Sequence, residues 1–157
     1  MKIRLAQEKD IDDIEKLLIQ ICTVHSKQRP DLFKSGGQKY NKSQIKEIIS
    51  DKTKPVIVAY DEGDKRVIGY AMCIIKTVKN DTALCDMKSL YLDDLCVDES
   101  YRGKGVGKKI YEYLIEYAKK ESCYNITLNV WEGNEGAKNF YNKCGLTLQK
   151  TTLEKIL

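Results

Sequence analysis

Apolar positions along this chain switch repeatedly between two periods. Over Glu8–Val24, Ile11, Ile14, Leu18 and Ile21 share one helical face, Leu17 lies beside them, and acidic residues stand at the start where the helix dipole favours them. Ser43–Ser50 carries Ile45, Ile48 and Ile49 and reads as a second, short helix. Val106–Lys120 places Val106, Ile110, Leu114 and Tyr117 on one face, and Asn134–Cys144 does the same with Ala137, Phe140, Tyr141 and Cys144. Gly145 follows as a stop, free to take positive φ. Between these segments lie β-type runs: Lys2–Leu5, Val56–Tyr60 entered through Pro55, Val67–Val78, Ala83–Val97 with a break near Lys88-Ser89, and Asn125–Val130. Leu146–Leu157 predicts one or two closing strands. Asp61–Asp64 and Lys79–Thr82 read as turns, the first making a hairpin of its flanking strands, and Gln28–Tyr40 reads as a loop through Arg29-Pro30-Asp31 and Ser35-Gly36-Gly37.

This order predicts an α/β sandwich around a mixed, largely antiparallel central sheet. Residues 1–157 contain no repeat, linker or low-complexity stretch, and the length suits a single domain. No apolar run approaches membrane-spanning length and the N-terminus lacks a signal-peptide core, so a cytoplasmic protein without a membrane role is expected. The net charge of +4 is too small, and its lysines too dispersed, to argue for nucleic acid. Six cysteines contain no Cys-x-x-Cys pair and meet a single histidine, His25, so no metal site is expected and the cysteines read as small buried hydrophobes.

Chemistry concentrates at Val97–Gly107. Gly103, Gly105 and Gly107 join a strand to a helix start, with Arg102, Lys104, Lys108 and Lys109 beside them. Glycines let the backbone approach a ligand, and the free N–H groups of a first helical turn favour an anion. A Walker loop fails, because Gly107-Lys108 is followed by Lys109 and no glycine lies five residues before Gly107. A dinucleotide fingerprint fails as well, because its third glycine comes one residue too early.

Arg102, Gly105 and Gly107 do fit Arg-x-x-Gly-x-Gly. The run Leu92–Gly107 resembles the acyl-CoA pyrophosphate loop of the GNAT family of N-acetyltransferases, and Asn134, Ala137, Phe140, Tyr141, Lys143 and Gly145 resemble that family's downstream block. The resemblance covers roughly the C-terminal 40% of the chain, with the two blocks in the family's order and separation. It implies a GNAT fold, helices on both sheet faces, and a V-shaped splay between the strand before the loop and the strand after the loop-helix. It implies an acetyl-CoA-dependent N-acetyltransferase in which an amine attacks the thioester directly, without a metal. In that family the main chain of residues matching Leu95, Cys96 and Val97 holds pantetheine, and the loop Arg102, Gly103, Lys104, Gly105, Val106, Gly107 and Lys108 holds the pyrophosphate. Relatives are often dimers paired through their C-terminal strands, which makes a homodimer an expectation here.

Asn134 has two readings, an N-cap and a hydrogen bond to the cofactor. Tyr141 matches the family's general acid, which protonates the departing thiolate; its alternative is packing beside Phe140 and Cys144. Asp93 stands where many relatives carry Glu and is the candidate base, either directly, through water, or only as a counter-charge to the ammonium. Asp94, one residue on, is expected on the opposite face of the strand and is a candidate substrate contact. His25, Arg29, Asp31 and Phe33 fall in the region that forms the acceptor pocket in relatives. The acceptor, a small-molecule or peptide amine, is not readable. Two competing classes are a non-catalytic acyl-CoA-binding module and a nucleic-acid binder using the basic loop.

Overall fold

The central strands are apolar on both sides, and in the computed structural model, which describes residues 1–157, both sides are covered. Five strands, β1 (Lys2–Leu5), β2 (Val56–Asp61), β3 (Arg66–Val78), β4 (Met87–Val97) and β5 (Asn125–Leu128), form one sheet in sequential order. The first three junctions are antiparallel, and β4–β5 is parallel. Helices α1 (Ile11–Gln28) and α2 (Lys42–Ser50) cover one face, and α3 (Val106–Lys120) covers the other, joined by α4 (Glu135–Lys143).

Alternation along β2 feeds two cores. Val56 and Val58 pack with Ile14, Leu17, Leu18 and Ile45, whereas Ile57 and Ala59 pack with Ile110 and Leu114. Burying each such side chain completely contributes about 1.5–3 kcal/mol, so the two layers hold the sheet between them. Gly69 decides how closely α3 approaches. A Cβ there would lie 3.1 Å from both the Cys96 carbonyl oxygen and Ile110 Cδ1, and 3.4 Å from Val106. The start of α3 is therefore seated directly on β3 and β4.

Several boundaries differ from the sequence reading. A 3-10 turn over Glu8–Asp10 precedes α1, and α1 runs on to Gln28. β4 starts at Met87 rather than Ala83, because the Asp81 carboxylate accepts from the Ala83 and Leu84 N–H groups and holds that stretch in a loop. β5 stops at Leu128, short of Val130. The expected break near Lys88-Ser89 is absent; the irregularity lies later, where Met72 faces Asp94, Cys73 faces Leu92, and Asp93 is the extra residue of a bulge. The closing strands are absent too. Residues 146–157 join no ladder, with Leu148, Leu153, Ile156 and Leu157 exposed, and β5 is paired on its β4 side only. Extended apolar sequence forms a strand only against a partner edge, and within one chain this segment is not laid against β5. No helix is long and apolar enough to cross a membrane.

Candidate active site

The parallel ladder between β4 and β5 ends at Leu92–Leu128. Beyond it the two strands diverge while β4 stays paired with β3 as far as Val97. This splay leaves one main-chain edge of Leu95, Cys96 and Val97 without a strand partner, as expected. The bulge at Asp93 reverses the alternation. Before it, Leu90 and Leu92 face the α3 layer; after it, Leu95 and Val97 do, and Cys96 turns to the α1–α2 layer. The Cys96 thiol donates to the Leu17 carbonyl at 3.5 Å, and burial with the nearby Asp94 charge pushes its pKa up to about 12. Such a thiol is no nucleophile at neutral pH.

At the mouth of the splay, Gly103 (φ +75°) and Gly105 (φ +79°) take left-handed conformations that a side chain resists. Gly105 is the N-cap of α3 and has no side chain with which to cap it, and the first turn holds no acidic residue. The first-turn N–H groups thus face outward without an intrahelical partner. A Cβ at Gly103 or Gly105 would meet nothing within 4 Å, so open space lies over the loop. Gly107 differs: its Cα lies against α4, where a Cβ would sit 3.4 Å from the Phe140 ring. Val106 is buried beneath the loop. Around the opening, Arg102 Nε donates to the Val97 carbonyl at 3.1 Å, Lys104 lies 5.0 Å over the Tyr101 ring, and Lys108 approaches Glu112 at 3.8 Å.

Asp98 anchors this loop. Its side chain accepts from Ser100 N (3.0 Å) and Ser100 Oγ (2.5 Å) and pairs with Arg66 at 2.8 Å, while its own N–H donates to the Ile68 carbonyl. Burial opposes its ionisation, but the Ser100 and Arg66 bonds outweigh it and hold the carboxyl at about 2.

Behind the splay is a cleft of about 540 Å³ whose lining joins β4, β5, α4, α1 and the α1–α2 loop. Tyr141 projects into it from α4, partly stacked edge-on against Phe140 at 5.0 Å. Its hydroxyl makes no hydrogen bond within the protein, and burial together with the Asp94 charge raises its pKa well above that of an ordinary phenol. It is therefore a protonated donor. Asn134 also lines the cleft and is the N-cap of α4, accepting from Ala137 N at 3.1 Å.

The two aspartates do not point to opposite faces. The bulge between them brings both under the α1–α2 side, where Tyr40 donates to Asp93 at 3.0 Å and Tyr70 donates to Asp94 at 2.8 Å. Asp93 is also paired with Lys39 at 2.8 Å, so its charge is already matched. Asp94 has no cation in contact. Burial raises its pKa, with the Tyr70 hydrogen bond and the more distant Lys39 and His25 offsetting only part of that.

Of the loop candidates, His25 and Phe33 enter the cleft, their rings stacked at 5.1 Å. Burial lowers the His25 pKa against the pull of Asp94, so the ring is neutral near pH 7, and its Nδ1 is buried without a partner. Arg29 and Asp31 do not line the cleft. Arg29 forks onto Asp31 (2.6 Å) and also holds Glu154 (3.0 Å), consuming both candidates in one surface cluster. Sequence reading missed Trp131, which meets the Phe33 ring edge-on at 5.4 Å, and the partners Lys39, Tyr40 and Tyr70. Trp131 had a signal, being the lone tryptophan, three residues before Asn134.

Comparison with known proteins places this geometry. The chain spans about half the length of the curated relatives it matches. It is 35% identical over 68 residues to a glucosamine 6-phosphate N-acetyltransferase of Arabidopsis thaliana, covering 43% of this chain and 44% of that protein. It is 36% identical over 95 residues to a spermine/spermidine N(1)-acetyltransferase of Bacillus subtilis, covering 59% and 58%. The crystal structure of a mutant Bacillus halodurans protein superposes with a TM-score of 0.95 at 32% identity, covering 100% of this chain and 99% of that one. The sequence profile described as Acetyltransferase (GNAT) family matches residues 18–146, most of the chain and both halves of the site. With an uncapped helix start at a strand splay and a phenol and a carboxylate in the cleft behind it, the chain belongs to the GNAT acetyltransferase family.

Proposed function

We propose that this protein transfers the acetyl group of acetyl-CoA to a primary amine in a single complex of both substrates. The observation that carries the reading is that the anion-binding start of α3 and the cleft holding Tyr141 and Asp94 open onto the same splay between β4 and β5. The residues present fit acetyl-CoA. The α3 first turn, Gly103, Gly105 and the cations Arg102, Lys104 and Lys108 suit its pyrophosphate. The free edge of Leu95, Cys96 and Val97 and the Asn134 side chain suit the amides of its pantetheine arm. When bound, acetyl-CoA supplies an acyl group activated as a thioester.

Asp94 takes a proton from the incoming ammonium and frees the nitrogen lone pair for the acyl carbon. Its raised pKa makes it a stronger base than an exposed carboxylate. A main-chain N–H on the free β4 edge polarises the carbonyl. Tyr141 Oη gives its proton to the sulfur as the C–S bond breaks, and the second nitrogen proton returns the phenol to neutrality. Asp93, tied to Lys39 and Tyr40, acts as a positioning residue that fixes the α1–α2 loop over the bulge. The free β5 edge and the exposed apolar segment 146–157 support a homodimer in which each copy lays this segment on its partner.

The test is thiol release from acetyl-CoA across a panel of amines, paired with thermal unfolding. Acetyl-CoA is expected to raise Tm by mass action on the folded state. A protein that neither gains stability with acetyl-CoA nor releases thiol with any amine lacks the proposed function.

A further inference from the structure

Of the four aspartates and lysines lining the cleft, Lys39 and Asp93 are paired, and Lys34, which is exposed, and Asp94 have no oppositely charged partner. Asp93 is neutralised by Lys39 at 2.8 Å. Arg29 is held by Asp31 and Glu154 outside the cleft, and His25 is pushed towards its neutral form by burial. Asp94, hydrogen-bonded by Tyr70 but paired with no cation, is the one carboxylate left to meet an ammonium. The walls beside it are flat and aromatic: His25 stacked on Phe33 at 5.1 Å, with Trp131 edge-on to Phe33 at 5.4 Å. Much of the remaining lining is aliphatic, including Ile21 and Leu32.

From this we infer that the acceptor is a primary amine with a single positive charge on a flat apolar or aromatic body. The inference rests on the acetyl-transfer reading and names its substrate class. A polyamine brings a second ammonium, which must be desolvated against aromatic walls or compete with Lys39 for Asp93; neither is favourable. An amino-sugar phosphate brings a dianion; the fork suited to phosphate, Arg29, is already bidentate on a carboxylate, which leaves only the exposed single ammonium of Lys34 to meet it. An aromatic ring, by contrast, gains stacking and edge contacts with Phe33 and Trp131 at no cost in unpaired charge. The two curated relatives described above carry names that specify a sugar phosphate and polyamines, so this cleft assigns the chain a different acceptor from either.

The experiment compares 2-phenylethylamine, spermidine and glucosamine 6-phosphate as acceptors by thiol release at fixed acetyl-CoA. Trp131 is the only tryptophan in the chain, so its fluorescence reports amine binding separately from turnover. The expected result is a kcat/KM for 2-phenylethylamine at least roughly tenfold above the other two, with a saturable fluorescence change. Phe33→Ala is expected to weaken 2-phenylethylamine severalfold while leaving the thermal shift with acetyl-CoA intact. Phe33 is partly exposed, so its truncation leaves both cores untouched. Spermidine or glucosamine 6-phosphate as the better acceptor, or a Phe33→Ala enzyme with unchanged KM for 2-phenylethylamine, overturns the substrate class while the acetyl-transfer reading stands. Loss of the acetyl-CoA thermal shift and of all thiol release in the wild-type protein overturns both.

Discussion

Replacing Asp98 by Asn should loosen the glycine-rich loop from the sheet, and the size of the effect follows from its charge. The side chain is 10% exposed and bonded to Ser100 and Arg66. Its carboxyl is held at about 2 against 3.8 in a free chain. At about 1.4 kcal/mol per tenfold change in proton affinity, that difference contributes about 2 kcal/mol at pH 7. The Asn variant should therefore unfold at correspondingly lower urea, with Tm down by roughly 4–8 °C for a chain of this length. Because the folded value is depressed, the contribution is complete above 3.8 and disappears as pH falls through about 2. The gap between wild type and variant should thus be full at pH 7 and pH 5 and narrow steadily below pH 4. Urea unfolding of both proteins at pH 7, 5, 4 and 3 reads this directly. A gap under about 0.5 kcal/mol at pH 7, or one that does not shrink with acid, would refute the assignment of Asp98 as an ionised anchor. Since the same carboxylate seats Glu99–Tyr101 ahead of the glycines, the KM for acetyl-CoA should rise as well.

Asp94→Asn should lower kcat roughly 10²-fold. In the wild type the acid limb of the kcat/KM profile should lie above the ordinary carboxylate range, because activity needs the ionised form and burial raises that group's pKa; a limb at the usual carboxylate value contradicts the base assignment. Tyr141→Phe should lose roughly 10²-fold in kcat with the acetyl-CoA thermal shift retained, so full activity in this variant removes the proposed acid. Gly105→Ala meets no atom within 4 Å but forces φ near +79° on a residue with a Cβ, a strain of about 1 kcal/mol that should appear as a severalfold higher KM for acetyl-CoA. Sedimentation of the whole chain should give twice the 18.0 kDa protomer, and Leu153→Asp should shift it to monomer; a monomeric wild type refutes pairing through the C-terminal segment.

Local chemistry made much of the fold legible. The four helices and the first five strands follow from periods of 3.6 and 2 with their capping and turn residues, and positions such as Gly105 and Gly145, both at positive φ, state their conformation in their identity. The glycine-rich loop was legible for the same reason: its glycines and cations lie within a dozen residues of one another. Contacts made across the sheet were not. Arg29 and Asp31 read as pocket residues in the sequence, whereas in the fold they form a surface cluster with Glu154, distant in sequence.

The sequence by itself determined the family, the glycine-rich helix start and the residues able to do chemistry, because each is encoded in short-range patterns. Tertiary structure decided which aspartate is left without a cation. Alternation alone puts Asp93 and Asp94 on opposite faces, but a bulge inserts one residue against β3, turns both to one side, and lets Lys39 neutralise Asp93 while Asp94, bonded to Tyr70, keeps no cation partner. A one-residue shift in strand register reverses every side chain beyond it, and register is a property of two strands that neither one carries alone.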